Sequence, residues 1–318
     1  MRILFFGTPA FAVPSLRALA QSPHQVVAVV TQPDRPRGRG QKLVPSEVKV
    51  AAAELSLDVW QPQRLRNGDF DDQVRAASAD LGVVAAYGRI LSASLLAIPR
   101  LGMINVHASL LPRWRGAAPV HRAVIAGDAE TGVTIMQVVE ALDAGPMLAR
   151  LPTPIGPDES SGALEGRLAE LGAGLLVETV NAIARGPVTA TAQNESAVTY
   201  AAKLERHESS LDWHQPAQVL HNQIRGLQPW PVAAAVLHGR RVLMRRSHPV
   251  PAEPHAAVPG TILRIDADAL VVAAGSGAIH LFDLQPEGRP VMTIREYLNG
   301  RLAKLGDRFE RWLPPALP

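Results

Sequence analysis

The fold and the chemistry of this chain both centre on the stretch INVHASLLP, residues 104–112. It ends an apolar run with an amide at Asn105, an imidazole at His107 and a turn stiffened by Pro112. Residues two apart on a strand face the same side, so the amide and the imidazole are predicted to share a face. A carboxylate follows downstream at Asp143. Such a set can stabilise a developing oxyanion and move protons, as transfer of an acyl group to an amine requires.

Each of these side chains also has an ordinary structural interpretation when it is taken singly. His107 could be a hydrogen-bonded core histidine, Asn105 could cap a turn, and Asp143 could be a turn residue ahead of Gly145. All three together with the Ser-Leu-Leu-Pro turn favour a catalytic site, in which the carboxylate would orient the imidazole.

Residues 1–187 alternate between short β-branched runs and helical stretches, and this indicates one α/β domain. The pattern predicts a Rossmann-like, doubly wound and mostly parallel sheet that is covered by helices on both faces. Ligands of such folds bind beyond the carboxyl ends of the strands. The predicted strands are Arg2–Phe6, Val26–Thr31, Val59–Gln61, Leu81–Ala86, Met103–Val106 and Val133–Val139, and the predicted helices are Phe11–Ala20, Ser46–Leu55, Asp69–Ala79, Ala93–Ile98, Ala118–Ile125 and Ser161–Ala184.

The rest of the chain has a different pattern. Residues 188–207 are polar and lack clear periodicity, so we predict a linker there. Residues 208–318 carry short extended runs separated by Gly, Pro and Asp, which is typical of a small β-barrel. The predicted strands of this domain are Val232–Val236, Arg241–Arg245, Gly260–Ile265, Ala269–Ala273 and Ala278–Leu284, with a helix over Ile294–Leu302.

Composition sets limits on the class of protein. A length of 318 residues suggests about two domains, and 47% hydrophobic with 19% charged residues is typical of a globular protein. No apolar run reaches the roughly 18 residues that span a bilayer, and strand-like Arg2–Phe6 leaves no room for a signal peptide. Zero cysteines exclude disulfides and thiolate catalysis and fit the cytoplasm. The histidines lack ligand spacing, so no metal is expected.

Basic residues are concentrated in two places, although the formal net charge is only +3. Residues 34–42 hold four cations against one acid on a Gly- and Pro-rich loop that suits phosphate contacts, with a solvated loop as the alternative. The second cluster comprises Arg240, Arg241, Arg245 and Arg246 on an extended run. On a strand, Arg241 and Arg245 share a face, where they could contact phosphates or protect a sheet edge. The cations predicted to bind nucleic acid are Arg35, Arg37, Arg39, Lys42, Arg241 and Arg245.

Several motifs resemble those of a known family. Asn105–Pro119 resembles the signature shared by enzymes that use 10-formyltetrahydrofolate. Four further segments resemble the tRNA-directed members of that group, namely Thr31–Pro36, Gly127–Met136, Asp212–Trp213 and Pro229–Pro231. Over nearly its whole length the chain is similar to the methionyl-tRNA formyltransferase family. The resemblance implies a catalytic domain that binds the folate, followed by a barrel resembling an OB fold that helps to bind methionyl-initiator tRNA.

The resemblance also implies roles for individual residues. Asn105, His107 and Asp143 match the catalytic trio of the family. The residues that match its folate contacts are Ser109, Leu110, Leu111, Pro112, Arg89, Ile90 and Leu91. The basic loop matches an insertion that enters the tRNA acceptor stem, with Arg39 at its best-known position. The chain departs from the family at Ala141, Ala144 and Pro146, which puts the geometry of the Asp143 loop in question.

Two other functions stay open at this point. One is a related folate-dependent formyltransferase that acts on a small amine such as glycinamide ribonucleotide or an amino sugar; the basic loop and the second domain argue against it. The other is an RNA-binding protein with an inactive formyltransferase core, which the intact trio argues against. No long apolar seam is evident, so we expect a monomer.

Overall fold

The computed structural model describes residues 1–37, 42–65, 69–250, 255–300 and 302–314. The chain forms two compact units. The first unit comprises Met1–Pro119, Glu130–Pro154 and Glu165–Ala201, and the second comprises Val120–Ala129, Ile155–Leu164 and Ala202–Pro318. Residues 187–201, which lie mostly in the predicted linker, therefore belong to the first unit.

A seven-stranded sheet forms the centre of the first unit, in the order β10-β9-β7-β6-β1-β2-β5. Its five strands from β7 to β5 are parallel, and β9 and β10 are antiparallel additions at one edge. The predicted doubly wound, mostly parallel sheet is thus confirmed. Two small two-stranded sheets, β3 with β4 and β8 with β11, complete the unit. The strands are β1 (Arg2–Gly7), β2 (Gln25–Val30), β3 (Arg35–Arg37), β4 (Lys42–Val44), β5 (Val59–Trp60), β6 (Leu81–Ala85), β7 (Met103–His107), β8 (Arg115–Gly116), β9 (Glu130–Gln137), β10 (Met147–Pro154) and β11 (Tyr200–Ala201).

The helices begin and end where the sequence supplies caps. Ser46 accepts a hydrogen bond from the backbone N–H of Lys49, which satisfies a free donor at the start of a helix. Gly186, at φ +154°, follows the longest helix among the described residues. The helices are α1 (Val13–Ala20), α2 (Glu47–Glu54), α3 (Asp69–Ala76), α4 (Ala93–Leu96), α5 (Pro119–Ala126), α6 (Ser161–Arg185), α7 (Ala217–Gly226) and α8 (Ile294–Asn299).

The core of the first unit follows from the burial of its central strand. Residues 3–6 of β1 are completely buried, as expected for a parallel strand with helices on both faces. Tyr87 packs edge-on against Phe6 at a centroid distance of 5.5 Å. In the described parts of the chain, no helix combines the length and the apolar character that crossing a membrane requires.

The second unit is built on an antiparallel sheet in the order β14-β15-β16-β13-β12-β18, with β17 paired to β16. This curled sheet confirms the prediction of a small barrel-like β domain. Helix α7 was not predicted, and it carries the buried polar side chains His221, Asn222 and Arg225. The strands are β12 (Ala234–Leu237), β13 (Arg240–Val250), β14 (Ile262–Ile265), β15 (Leu270–Ala273), β16 (Ala278–Pro286), β17 (Met292–Thr293) and β18 (Glu310–Arg311).

His221 joins three parts of the second unit through a buried imidazole that is 1% exposed. Its Nε2 donates to the carbonyl of Pro157 at 2.9 Å, and its Nδ1 accepts from the hydroxyl of Ser247 at 3.0 Å. Both ring nitrogens are therefore satisfied with a single proton. Burial lowers the pKa of His221 below its ordinary value, although the Pro157 carbonyl acts in the opposite direction.

This lowered pKa predicts a loss of stability in mild acid. The unfolded chain binds a proton at His221 more readily than the folded chain, so stability falls as the pH drops below about 6.5, the ordinary histidine value. We expect the urea midpoint of the second unit to fall between about pH 7.5 and about pH 5.5. The His221→Gln variant should fall less over the same range, and His214→Gln, an exposed control, should match the wild type. An equal fall of the urea midpoint in all three proteins would contradict the role of His221 in this pH dependence.

Candidate active site

The strand β7 places Asn105 and His107 on one face, at the carboxyl end of the parallel part of the sheet. Asn105 pairs with Val84 of β6 on one side and with Met136 of β9 on the other. His107, the last residue of the strand, lies opposite Thr134. The strand is thus hydrogen-bonded along both edges, which fixes the direction of both polar side chains.

The imidazole of His107 is buried and has an acceptor facing each nitrogen. Its Nε2 lies 3.0 Å from the carbonyl oxygen of Trp114, which can only accept, so this nitrogen carries a hydrogen. Its Nδ1 lies 3.7 Å from Oδ2 of Asp143, an ion-pair distance that is too long for a hydrogen bond. The side chains of His107 and Asp143 are only 6% and 15% exposed. The ring is therefore oriented by the Trp114 carbonyl and faces the carboxylate with its other nitrogen.

The carboxylate of Asp143 is fixed by the backbone. Its Oδ2 accepts from the N–H of Gly116 at 2.9 Å. Asp143 has φ +47°, a left-handed conformation that non-glycine residues adopt at a cost. Gly145 packs so tightly that a Cβ there would overlap the carbonyl oxygen of Gln137, and the N–H of Gln137 donates to the carbonyl of Pro146 at 2.9 Å. The carbonyl of residue 146 closes the turn, a role that a proline can fill because proline keeps its carbonyl acceptor.

Gln193 contacts this loop and was not predicted. Its amide N–H groups donate to the carbonyls of Asp143 and Gly145 at 2.7 and 2.8 Å. Its Oε1 accepts from the guanidinium of Arg115, which in turn forms an ion pair with Glu195. Gln193 lies in a polar stretch without periodicity, so no sequence signal distinguishes it from a solvated linker residue.

The hydroxyl of Thr134 makes two hydrogen bonds to the backbone of the turn after His107, which together we call the Thr134 brace. The hydroxyl of this fully buried residue donates to the carbonyl of Ser109 at 2.7 Å and accepts from the N–H of Leu111 at 3.2 Å. Ser109 donates its own hydroxyl to the carbonyl of Arg113. Of the predicted folate contacts in this turn, Ser109 and Leu111 are fully buried, whereas Leu110 and Pro112 are half-buried. The half-buried residues Leu110 and Pro112 are therefore the parts of the turn that a ligand can reach.

The other predicted folate contacts follow β6. Ile90 is 88% exposed, whereas Leu91 is buried in the core. Arg89 donates to the carbonyls of Pro62 and Gln63, which follow β5. This leaves an exposed apolar side chain between an anchored arginine and an anchored leucine.

Loops from several strands meet at the same edge of the sheet. The carbonyl of Tyr87, after β6, accepts from the hydroxyl of Thr8, after β1, and from the amide of Gln32, after β2. The strand order reverses direction between β1 and β6, and the crevice at such a point is where doubly wound folds bind ligands. Within the described residues no set of three or more metal-ligating side chains is placed to hold an ion.

The predicted nucleic-acid contacts have varied surroundings. Arg35 and Lys42 are exposed on the β3–β4 hairpin, and Arg37 lies on β3, but its side chain and Arg39 lie outside the described residues. In the second unit, Arg241 stacks on Trp312 with its guanidinium 4.0 Å from the ring centroid. Arg245 hydrogen-bonds Gln285 and Gln228.

Burial lowers the pKa of both Arg241 and Arg245. These two arginines are thus partly buried and contact other side chains of the second unit. Arg240 and Arg289 are among the exposed cations of the described part of the same unit, and they line one cleft with His238.

Comparisons with known proteins agree with one another. The family model described as "Formyl transferase" matches residues 1–180, and that of "Formyl transferase, C-terminal domain" matches residues 203–302. A methionyl-tRNA formyltransferase of Xylella fastidiosa is 51% identical over 95% of this chain and 98% of its own length. One from Pseudomonas putida is 47% identical over 96% and 97%. The fold resembles HypX from Aquifex aeolicus in complex with tetrahydrofolic acid, with a TM-score of 0.63 and 17% identity, over 96% of this chain and 48% of that one.

Because the hydroxyl of Thr134 makes both hydrogen bonds of this brace, removing it should lower the free energy of unfolding. Thr134→Val keeps the shape of the side chain but leaves a buried N–H and a buried carbonyl without partners, at about 1–3 kcal/mol for each group. We expect a lower urea midpoint than that of the wild type. Thr131→Val on the same strand is the control, because the hydroxyl of Thr131 makes no hydrogen bond within the described residues. Equal midpoints for the two variants would contradict the role of the brace.

Proposed function

Because this chain belongs to the methionyl-tRNA formyltransferase family, we propose that it transfers a formyl group from 10-formyltetrahydrofolate to the α-amino group of methionyl-initiator tRNA. The observation that carries this proposal is the pairing of a buried imidazole with a carboxylate 3.7 Å away, beside Asn105 on one strand face. An amide, an imidazole and a carboxylate together can stabilise an oxyanion and transfer protons, and no step of the reaction calls for a metal.

The trio divides the work of the transfer. The neutral α-amine attacks the formyl carbon, and a new C–N bond forms as the carbonyl oxygen takes up negative charge. Asn105 and protonated His107 donate hydrogen bonds to that oxygen, the imidazole through Nδ1, because its Nε2 already donates to the carbonyl of Trp114. The attacking nitrogen then loses a proton and N10 of the folate gains one through His107 and Asp143, so that the bond to N10 breaks and tetrahydrofolate leaves as a neutral amine.

The folate is held at the edge of the sheet by two segments. The turn from Ser109 to Pro112 presents half-buried Leu110 and Pro112, and its backbone is hydrogen-bonded to the hydroxyl of Thr134. The segment from Arg89 to Leu91 presents exposed Ile90, an apolar surface suited to a flat heterocycle. Both segments lie where doubly wound folds place their ligands.

The tRNA is bound by cations that contact phosphates. The basic loop supplies Arg35, Arg37, Arg39 and Lys42, and the second unit supplies Arg240 and Arg289 beside the predicted Arg241 and Arg245. Exposed guanidinium groups contact the backbone of a nucleic acid without reading its sequence. The internal partners of Arg241 and Arg245 make these two the weaker candidates.

The alternatives from the sequence are not favoured. An enzyme that acts on a small amine would not need the basic loop or the second unit. A binding protein without activity would not need the trio. We propose that the enzyme acts as a monomer in the cytoplasm, where translation begins. The test is formylation by the full chain with 10-formyltetrahydrofolate, comparing methionyl-initiator tRNA with small amines.

Removing the amide of Asn105 should slow the chemistry. Loss of one oxyanion donor costs on the order of 10²–10³ in rate, so Asn105→Ala should lower kcat by that factor while thermal unfolding is unchanged. Asn181→Ala removes an amide on α6 that hydrogen-bonds His24, and this control should keep the wild-type kcat. A kcat for Asn105→Ala within about threefold of the wild type would remove Asn105 from the oxyanion role.

Removing the cation of Arg39 should weaken binding of the tRNA. We expect Arg39→Ala to raise the KM for methionyl-tRNA and to reduce the slope of log affinity against log salt by about 1. Arg75→Ala, at an exposed arginine on α3, should leave both quantities unchanged. An effect confined to kcat with tRNA saturating would contradict a phosphate contact.

A further inference from the structure

A strap of the first unit, residues 191–201, runs beside the Asp143 loop just before the chain enters the second unit. Gln193 is its most buried polar side chain, at 9% exposure. The neighbouring residues 194–197 are exposed. Burial of one amide in an otherwise solvated stretch requires specific partners.

The amide of Gln193 is saturated by the active-site loop. Its two N–H groups donate to the carbonyls on either side of Ala144, and its oxygen accepts from Nε of Arg115 at 2.9 Å. Two carbonyls and a guanidinium allow one amide orientation only, because carbonyls accept and guanidinium groups donate. The side chain therefore fixes the main chain of Asp143 and of Gly145 at once.

Arg115 anchors the amide from the other side. Its guanidinium is nearly fully buried and donates to Glu195 through both terminal nitrogens, at 2.7 and 3.3 Å. The hydrogen bond from Arg115 lowers the pKa of Glu195, so the anchor stays charged. The chain of contacts thus runs from a solvent-facing carboxylate through a buried cation and an amide to the catalytic loop.

The backbone of the same strap fixes the carboxylate. Strand β11 pairs in parallel with β8, and the N–H of Arg115 donates to the carbonyl of Thr199 at 2.9 Å. A Cβ at Gly116 would lie 2.8 Å from the carbonyl oxygen of Ala201, so only glycine fits. This pairing aims the Gly116 N–H at Oδ2 of Asp143.

We propose that Gln193 is a positioning residue that holds Asp143 in its left-handed conformation, with its carboxylate facing His107. The inference rests on the function proposed above. The geometry calls for outside support, because the unfavourable φ of Asp143 persists only where surrounding contacts hold it, and the imidazole is 3.7 Å from the carboxylate. A shift of about 1 Å in a catalytic group can cost on the order of 100-fold in rate.

The first test removes the hydrogen bonds of Gln193 and keeps its bulk. With both substrates saturating in a single turnover, Gln193→Leu should lower the rate about 10-fold to 100-fold and change each KM by less than about threefold. Gln193→Glu, which fits the same space but loses both donors, should be slowed as well. Asn194→Ala, an exposed neighbour on the strap, should keep the wild-type rate.

The second test asks whether Gln193 acts through Asp143. In the Asp143→Ala background, Gln193→Leu should cause no further loss of rate, since the group that it positions is gone. A loss of the same factor in both backgrounds would overturn the proposal, and so would wild-type rates for both Gln193 variants. Thermal unfolding of each variant checks that the fold is intact.

Failure of the inference is distinguishable from failure of the proposed function. If wild-type enzyme formylates a small amine but not methionyl-tRNA, the acceptor is wrong, and the same double-mutant comparison with that amine still tests Gln193. If wild-type enzyme formylates methionyl-tRNA and the two Gln193 variants equal it, the acceptor stands and the positioning role is wrong.

Discussion

Asp143 is held by a main-chain N–H and by the side chain of Gln193, and not by the imidazole that it faces. The N–H of Gly116 holds its carboxylate, Gln193 holds its carbonyl, and the adjoining turn closes on Gln137. The Nε2 of His107 donates to the carbonyl of Trp114, whereas its Nδ1 faces the carboxylate at 3.7 Å, which is too far for a hydrogen bond. The chemistry therefore depends on how the backbone aims one side chain.

The sequence predicted the sheet and the shared face of Asn105 and His107 because both leave local patterns, whereas Asp143 is distant in the chain and its spacing alone did not place it. Central parallel strands such as β1 and β6 are buried on both faces, so they appear as unbroken apolar runs. The spacing of Asn105 and His107 on β7 places them on one face by alternation alone. Helix α7 left no such pattern, because His221, Asn222 and Arg225 occupy buried positions that a helical pattern assigns to apolar residues. Gln193 was missed for a related reason: its partners lie 48, 50 and 78 residues away.

The arginines of β13 illustrate the same limit. Alternation places Arg241 and Arg245 together, as the sequence indicates. What occupies that face is decided by Trp312, Gln228 and Gln285, which are distant in the chain. Alternation identifies shared faces, whereas exposure depends on contacts that no short stretch encodes.

The strap changes where a catalytic fragment can be cut. Composition suggests a break at the glycine and proline that follow α6, and the family model for this half stops at residue 180. A truncation at either point would discard the amide behind Asp143 and the strand beside β8. Such a polypeptide would keep every residue of the signature motif and lack the groups that align it. An excised version of this half should extend through Ala201 to preserve its working geometry.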